Sequence, residues 1–339
     1  MTLPTGDIEV VTGAHDAVDL DRLDGDAIEG RSPWQISWRR LKRDRAAMVG
    51  GAVAVLLVLV AIFSKLIESG FHLDPNATHN NQFHGGLIDP NTGLPLGSFG
   101  GMSSHHLLGV EPLSGRDILA RIVEGSWVSL LVAFSATLLS NAIGTVLGIV
   151  AGYYGGWIDA FISRIMDIFL AFPLLLFAIA ISASLQNEAF GLKGLPLHIS
   201  VLIFVIGFFN WPYMGRIIRG QTISLREREF VAAARGLGAR GPYILFKELL
   251  PNLVAPILVY STLLMPSNIL FEAALDFLGV GIAPPQSSWG QELAQAVDYY
   301  QSDPEYLIVP GVMIFIAVLA FNLFGDGLRD ALDPKSASR

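Results

Sequence analysis

The chain contains no cysteine and few charged residues. None of its 339 residues can therefore form a disulfide, a thiolate metal site or a cysteine nucleophile. Only 15% of the residues are charged, against about 25% in a typical soluble domain. Hydrophobic residues make up 52%, and the mean hydropathy is +0.51. This composition is typical of a membrane protein.

Catalytic and cofactor motifs are also missing from the sequence. No Gly-x-x-x-x-Gly-Lys-Ser/Thr pattern occurs, so the chain lacks a phosphate-binding loop of its own. The histidines of its longest polar segment follow no recognised ligand spacing, and we expect no metal site and no cofactor. We predict no catalytic residue and no nucleic-acid partner. The histidines are His72, His79, His84, His105 and His106.

The N-terminal segment is acidic, and much of the net charge of −8 comes from it. Within its first thirty residues Arg22 is the only base, and aromatic residues are few. This pattern predicts a disordered leader over residues 1–31. Its acidic start does not fit a secretory signal. The carboxylates are Asp7, Glu9, Asp16, Asp19, Asp21, Asp24, Asp26 and Glu29.

Six apolar runs are long enough, or nearly so, to cross a membrane, which takes roughly 20 residues of helix. A buried helix of a soluble protein could explain one or two of them but not six. Their internal prolines and glycines are tolerated in membrane helices. We therefore predict an all-α integral membrane fold with six transmembrane helices. The runs cover residues 46–63, 127–153, 165–184, 199–213, 253–275 and 306–324.

The basic residues predict the orientation of these spans. A cluster at residues 38–45 precedes the first span, so the positive-inside rule puts the N-terminus in the cytoplasm. Six crossings return the C-terminus to the same side. The connection between the fourth and fifth spans is also basic and is predicted to be inside. Few bases fall in the predicted outer segments, namely Lys65, Arg116, Arg121 and Lys193.

The spans divide the chain into segments. A basic entry segment and the first span occupy residues 32–68, and a polar extracytoplasmic segment follows at 69–126. A five-helix core covers 127–330, and its largest cytoplasmic connection is at 220–252. A cytoplasmic tail covers 331–339. The first outer segment and a second one at 277–305 are predicted to be accessible to an external partner.

The sequence "EFVAAARGLGARGPYILFKELLPNL" (residues 229–253) lies between two strongly apolar spans and carries no evident catalytic chemistry. Its alanines favour a short helix, Gly238 breaks it, and a second helix follows. Small side chains would let another protein approach closely. An amphipathic helix on the lipid surface explains the pattern about equally well.

This segment resembles the cytoplasmic coupling loop of permease subunits of ATP-binding-cassette (ABC) importers. That loop carries a Glu-Ala-Ala triplet, a glycine a few residues later and a Leu-Pro. In this family the loop docks in a groove of the ATPase subunit. The residues that match the motif are Ala232, Ala233 and Ala234 for the triplet, Gly238 for the glycine, and Leu250 and Pro251 for the Leu-Pro.

Further matches are similar to C-type subunits of dipeptide and oligopeptide permeases. They cover residues 32–51, 107–134, 277–293 and 310–334. The resemblance implies the type I importer permease fold. Two positions depart from the family pattern. Ala232 replaces the usual Glu, and Val110-Glu111 with an extra Ser114 replaces a Thr-Asp pair.

The resemblance also implies partners. They are a related B-type permease subunit, two ATPase subunits that bind ATP and Mg²⁺, an extracytoplasmic substrate-binding protein, a peptide substrate and membrane lipid. ATP hydrolysis would reside on the ATPases. Other cargoes of similar machines, namely nickel chelates, haem, opines and sugars, stay open. A membrane-embedded enzyme is a remote alternative.

Polar residues inside the spans are candidates for a translocation path, because polar groups in a membrane usually face a bundle interior or a cavity. The alternative is interhelical hydrogen bonding, worth about 0.6–2 kcal/mol for each bond. The candidates are Asn141, Asn210, Asn268 and Glu272.

Overall fold

The computed structural model describes residues 33–79, 86–184, 188–189 and 191–332, and helices dominate them. The predicted leader and most of the predicted tail lie outside these residues. The prediction of an all-α fold is confirmed, with one short β-ladder between β1 and β2. The elements are α1 Pro33–Leu41, α2 Arg45–Ile62, α3 Ser64–Gly70, α4 Ile118–Tyr154, α5 Gly156–Ala171, α6 Leu174–Ser184, β1 Glu188–Ala189, β2 Leu192–Lys193, α7 Gly194–Arg226, α8 Glu229–Gly236, α9 Gly241–Tyr243, α10 Leu250–Phe277, α11 Trp289–Ala296 and α12 Pro304–Leu332.

Among the described residues, five helical stretches are long and apolar enough to span a membrane, and a bent pair makes a sixth candidate. The pair is α5 with the first part of α6, which meet at 77°. The predicted span at 165–184 corresponds to this bent pair and not to one straight helix. Phe172 is extended, with φ −82° and ψ 129°, because a residue before a proline avoids the helical region. Pro173 thus divides the span into two helices.

Two predicted boundaries also need correction, because the helices run beyond the apolar residues. Helix α4 begins at Ile118, where the Asp117 carboxylate caps the Ala120 N–H at 2.9 Å, so its first turns fall within the predicted outer segment 69–126. Helix α7 continues through Pro212 to Arg226, well past the predicted end of the fourth span at 213. The predicted connection at 220–252 therefore begins inside a helix.

The fifth span starts earlier than predicted, because Gly241–Phe277 is one helical stretch. It contains α9, a π-helical segment at Ile244–Leu249, and α10. In the π-helical segment the Leu250 N–H bonds to the Leu245 carbonyl. Pro251 follows directly and does not end the helix. The cytoplasmic connection predicted from the charges is thus joined rigidly to a spanning helix.

Helices α4 and α7 pack closely because one face of α4 carries glycines four residues apart. A Cβ atom built on Gly144 or Gly152 would lie 2.7 Å from side-chain atoms of Met214 or Thr222 of α7. A Cβ on Gly148 would lie 2.7 Å from the backbone carbonyl oxygen of Gly215, also in α7. Small residues at this spacing let two membrane helices approach backbone to backbone. This contact builds the centre of the bundle.

At one end of the helix bundle, residues 86–117 and α11 form a compact polar cap. An isolated β-bridge joins Ile88 to Pro95, and another joins Val110 to Asp117. Most residues of helix α11 are buried within this cap. Trp289 and Glu292 are fully buried in it. The expectation that residues 277–305 lie open to a partner is therefore wrong for the centre of that segment.

Candidate coupling surface

The region that resembles a coupling loop folds as a short helix with a fixed end. Helix α8 ends at Gly236, and Gly238, which follows the C-cap residue Leu237, has a φ of +81°, the left-handed conformation that glycine adopts readily. The Ala239 N–H bonds to the Ala234 carbonyl at 3.0 Å, and the Gly238 N–H bonds to the Arg235 carbonyl at 2.9 Å. These two bonds form a Schellman motif. The left-handed backbone conformation at this position thus favours glycine. In addition, nothing lies within 4 Å of a Cβ atom built on Gly238, so the space around it is open.

An open groove of about 630 Å³ lies beside this helix end. Three of the predicted coupling residues line it, namely Ala233, Ala234 and Gly238. The other predicted residues, Ala232, Leu250 and Pro251, are not among its lining residues. Its remaining walls are Phe230, Leu237, Ala239, Arg240, Tyr243 and Glu248.

Leu237 is the residue that sequence reasoning missed. It caps α8, and its side chain is 89% exposed, the highest value among the exposed large apolar residues that the structure describes. Tyr243 across the groove is 53% exposed. The sequence motif drew attention to the alanines and Gly238 and not to Leu237. Its position beside a helix-ending glycine was the signal that could have identified it, because the chain after a helix end projects from the helix axis.

The position that departs from the family pattern is open to solvent. Ala232 is exposed on α8, so a longer side chain would fit there without a clash. Charge near the groove comes from Arg240 and Glu248, which line it. The guanidinium of Arg235 lies 5.2 Å from the centroid of the Tyr153 ring and holds α8 against the end of α4. The surface is therefore mixed apolar and charged.

Two of the predicted path residues meet in the middle of the bundle. The Asn210 amide on α7 donates to the Asn268 amide oxygen on α10 at 2.9 Å. Asn268 in turn donates to the Thr137 hydroxyl on α4 at 2.8 Å. All three side chains are buried. This chain of hydrogen bonds joins three spanning helices.

The other two predicted path residues also bond across helices. Asn141 of α4 donates to the Ser261 hydroxyl of α10 at 2.6 Å. The Ser129 hydroxyl of α4 donates to the buried Glu272 carboxyl of α10 at 3.0 Å. Three of the candidates, Asn141, Asn268 and Glu272, therefore lie along the α4–α10 interface, and Asn210 joins α7 to it. Within the described residues they contact other side chains of this chain.

A buried cluster of charged side chains lies near the start of α4. It includes Glu111, one of the residues at which this sequence departs from the family pattern. The Glu111 carboxylate lies 2.6 Å from Arg116 and 2.9 Å from Arg121. Arg121 lies 2.7 Å from Glu292 of α11. The two arginines, predicted as charges of an outer loop, are thus paired inside the protein. Burial raises the pKa of Glu292 to about 8, although the Arg121 guanidinium acts in the opposite direction.

Two of the outer histidines form hydrogen bonds, and His84 lies outside the described residues. His79 Nδ1 lies 3.0 Å from the Gly115 carbonyl oxygen, and His106 Nδ1 lies 2.6 Å from the Asp117 carboxylate. Their rings are 5.3 Å apart and edge to face. Among the described residues no three His, Asp or Glu side chains are arranged to hold a metal ion.

Comparison with known proteins identifies the family. Residues 144–338 match the family described as binding-protein-dependent transport system inner membrane component. Residues 32–83 match the N-terminal transmembrane domain of oligopeptide transport permease C. A dipeptide transport system permease protein from Alkalihalophilus pseudofirmus is 41% identical over 91% of both chains. This chain belongs to that family of ABC transport permeases.

Other relatives of the permease agree with this membership. A glutathione transport system permease protein from Pectobacterium atrosepticum is 37% identical over 91% of this chain and 93% of its own. One from Escherichia coli is 38% identical over 90% of this permease and 91% of its own length. Among solved structures, the inward-facing MetNI methionine ABC transporter aligns with 64% of this chain and 98% of its own, with 20% identity and a TM-score of 0.49.

The permease assignment fits the chemistry of the described residues. Polar side chains inside the bundle are used for helix-to-helix bonds. The open groove beside α8 is lined by mixed apolar and charged residues. Such a surface suits contact with another protein.

Proposed function

We propose that this chain is the C-type permease subunit of an ATP-driven importer of di- and oligopeptides. It would pair with a related B-type permease, and the pathway would lie between the two subunits. Two ATPase subunits would bind ATP and Mg²⁺ and carry out hydrolysis. A substrate-binding protein would deliver peptide from outside. Family membership and the exposed α8 groove support this proposal.

The observation that carries the coupling role is the exposure of Leu237 beside an open groove. A leucine that is 89% exposed at a helix tip is an apolar anchor without a pocket in its own chain. A partner groove would bury it, together with the aromatic rings of Phe230 and Tyr243. Because α9, the π-helical segment and α10 form one stretch, movement at the groove would reach the fifth span directly.

The transport cycle that fits this arrangement is alternating access. Closure of the ATPase pair on ATP would turn the two permeases outward to receive peptide, and hydrolysis would reset them inward. The glycine-lined contact of α4 with α7 and the hydrogen bonds at Asn268 favour movement of these helices as a rigid body. The chain itself would make and break no covalent bond.

The proposed orientation has both termini in the cytoplasm. The basic residues that precede α2 and those around α8 support it through the positive-inside rule. The polar cap, with residues 86–117 and α11, would then face outward. The parts of this cap that are exposed include Phe99 and Leu107, and they would be available to a binding protein.

The proposed cargo rests on the relatives. Those named above are a dipeptide permease and two glutathione permeases, and glutathione is itself a small peptide. None of these names refers to a nickel chelate, haem, an opine or a sugar. Peptide is therefore the cargo that we propose for this chain.

The test is reconstitution of the complete complex, with its binding protein, in liposomes. We expect ATP-dependent accumulation of labelled dipeptide or glutathione, and no accumulation with a non-hydrolysable ATP analogue. A matched complex whose binding protein is omitted serves as the control. ATP-dependent uptake of a sugar or metal chelate without peptide uptake would refute the cargo, and enzymatic activity of the isolated chain would refute the permease role.

A further inference from the structure

Helix α1 presents two different faces. Its Leu41 side chain is buried in a small core with Ala47 and Ala331, which fixes α1 against α12. Successive residues of a helix are rotated by about 100°, so Gln35 and Arg39 lie roughly opposite Leu41. This second face is turned away from the helix bundle, and both of its residues are exposed.

The outward face of α1 forms a basic pocket. A cavity of about 270 Å³ is lined by Gln35, Ile36, Arg39, Arg40 and Arg43. Three guanidinium groups and one amide therefore border a small space with a single aliphatic side chain, Ile36. The pocket ends one residue before Asp44, whose carboxylate caps the N-terminus of the spanning helix α2.

We propose that this basic pocket binds the headgroup of an anionic phospholipid of the cytoplasmic leaflet. Guanidinium groups donate paired hydrogen bonds to phosphate oxygens and remain charged at all physiological pH values. Basic residues beside the cytoplasmic end of a spanning helix attract anionic lipid. The proposal rests on the orientation proposed above, because only a cytoplasmic α1 meets this leaflet.

Apolar exposure beside the pocket favours a lipid over a soluble anion. Trp38 is 53% exposed and Ile36 is 41% exposed, and both flank the arginines. The Lys42 ammonium lies 5.2 Å from the Trp38 ring centroid. Tryptophan is enriched where the headgroups meet the acyl chains. An amphiphile would satisfy the charges and the apolar side chains together, whereas inorganic phosphate would satisfy the charges alone.

Native mass spectrometry of the purified transporter complex tests the site, with phosphatidylglycerol and phosphatidylcholine as the probes. The wild type should retain phosphatidylglycerol in preference. The double variant Arg39→Gln/Arg43→Gln should weaken that retention about 30-fold, because each basic residue near an anionic surface contributes about fivefold. The matched variant Arg164→Gln/Arg228→Gln removes two exposed arginines elsewhere and should change it by less than about twofold.

Four results would overturn the proposal. They are equal retention of both lipids by the wild type, unchanged retention by the double variant, displacement of phosphatidylglycerol by millimolar inorganic phosphate, and tighter lipid binding after the leader is neutralised. The last variant is Asp19→Asn/Asp21→Asn/Asp24→Asn/Asp26→Asn, and its effect would identify the acidic leader as the occupant. The measurement needs no substrate and no membrane, so it fails independently of the proposed transport function.

Discussion

The guanidinium of Arg121 lies 2.7 Å from the carboxylate of Glu292, and neither side chain is accessible to solvent. Arg121 belongs to the first turn of α4, and Glu292 belongs to α11, close to the other end of the chain. Arg121 also donates to the carbonyl oxygens of Pro285 at 2.5 Å and Gln286 at 3.5 Å. One arginine thus ties Glu111, the start of α4 and residues 285–292 into one cap.

Removal of Arg121 should destabilise this cap strongly. In Arg121→Met, the carboxylates of Glu111 and Glu292 would lose their shared partner and stay buried. Breaking a buried pair in this way costs about 3–5 kcal/mol. We expect a clear fall in the melting temperature measured by tryptophan fluorescence. Arg164→Gln is the control, since Arg164 is 78% exposed and lies 3.8 Å from Asp167. Equal melting temperatures for the two variants would contradict the role of Arg121.

Glu292 should make the stability of the cap depend on pH. Its pKa of about 8 in the folded chain lies above the ordinary carboxyl value, so the folded state binds a proton more tightly than the unfolded state. The contribution of Glu292 to the free energy of unfolding is therefore complete below about pH 4.3 and is lost as the pH rises through 8. Glu292→Gln should lose less stability than the wild type between pH 6 and pH 9. Parallel pH profiles of melting temperature would count against this titration.

A larger side chain at Gly148 should separate α4 from α7. Because a Cβ there would meet the Gly215 carbonyl oxygen at 2.7 Å, Gly148→Leu requires the backbones to move apart. Overpacking of this kind typically costs about 1–3 kcal/mol. The matched variant is Gly220→Leu, because nothing lies within 4 Å of a Cβ at Gly220. Thermal unfolding of the two variants should differ, and an unaffected Gly148→Leu protein would refute the close contact.

Leu237 should anchor the ATPase subunits. Leu237→Asp introduces a charge where a partner would bury a leucine, so we expect loss of ATPase co-purification and of peptide uptake. Its 89% exposure means that the folded chain should remain intact. Leu237 is a cleaner test than Gly238, which the left-handed end of α8 requires. Leu107→Asp, at a leucine that is 63% exposed in the polar cap, should keep ATPase co-purification. Normal co-purification of Leu237→Asp would exclude Leu237 as the anchor.

The proposed orientation can be tested by labelling single introduced cysteines, because the chain has no cysteine of its own that would react. Gln301→Cys and Ala232→Cys each introduce one thiol at an exposed position. A membrane-impermeant maleimide should label the first in intact spheroplasts. It should label the second only after permeabilisation. The reverse pattern would invert the topology and remove the basis for the lipid site on α1.

The sequence was sufficient to determine the class of this protein. Transfer of roughly 20 apolar residues into a membrane is a property of a local stretch of chain, so composition and hydropathy predict spanning helices without tertiary information. The family followed from separated local motifs for the same reason. The short helix from Glu229 and the glycine that follows it could also be predicted, because its alanines, Gly238 and flanking charges are contiguous.

Only the tertiary structure shows which charged side chains are paired inside the protein and which predicted spans are bent. Arg121 and Glu292 meet because α11 folds back on α4, and no local pattern encodes such a distant pairing. The bend at Pro173 depends on whether neighbouring helices support a continuous span. Likewise, Asn210 and Asn268 share a hydrogen bond because a glycine-lined interface lets three helices approach. Side-chain partners depend on packing between distant segments, whereas hydropathy is a sum over neighbours along the chain.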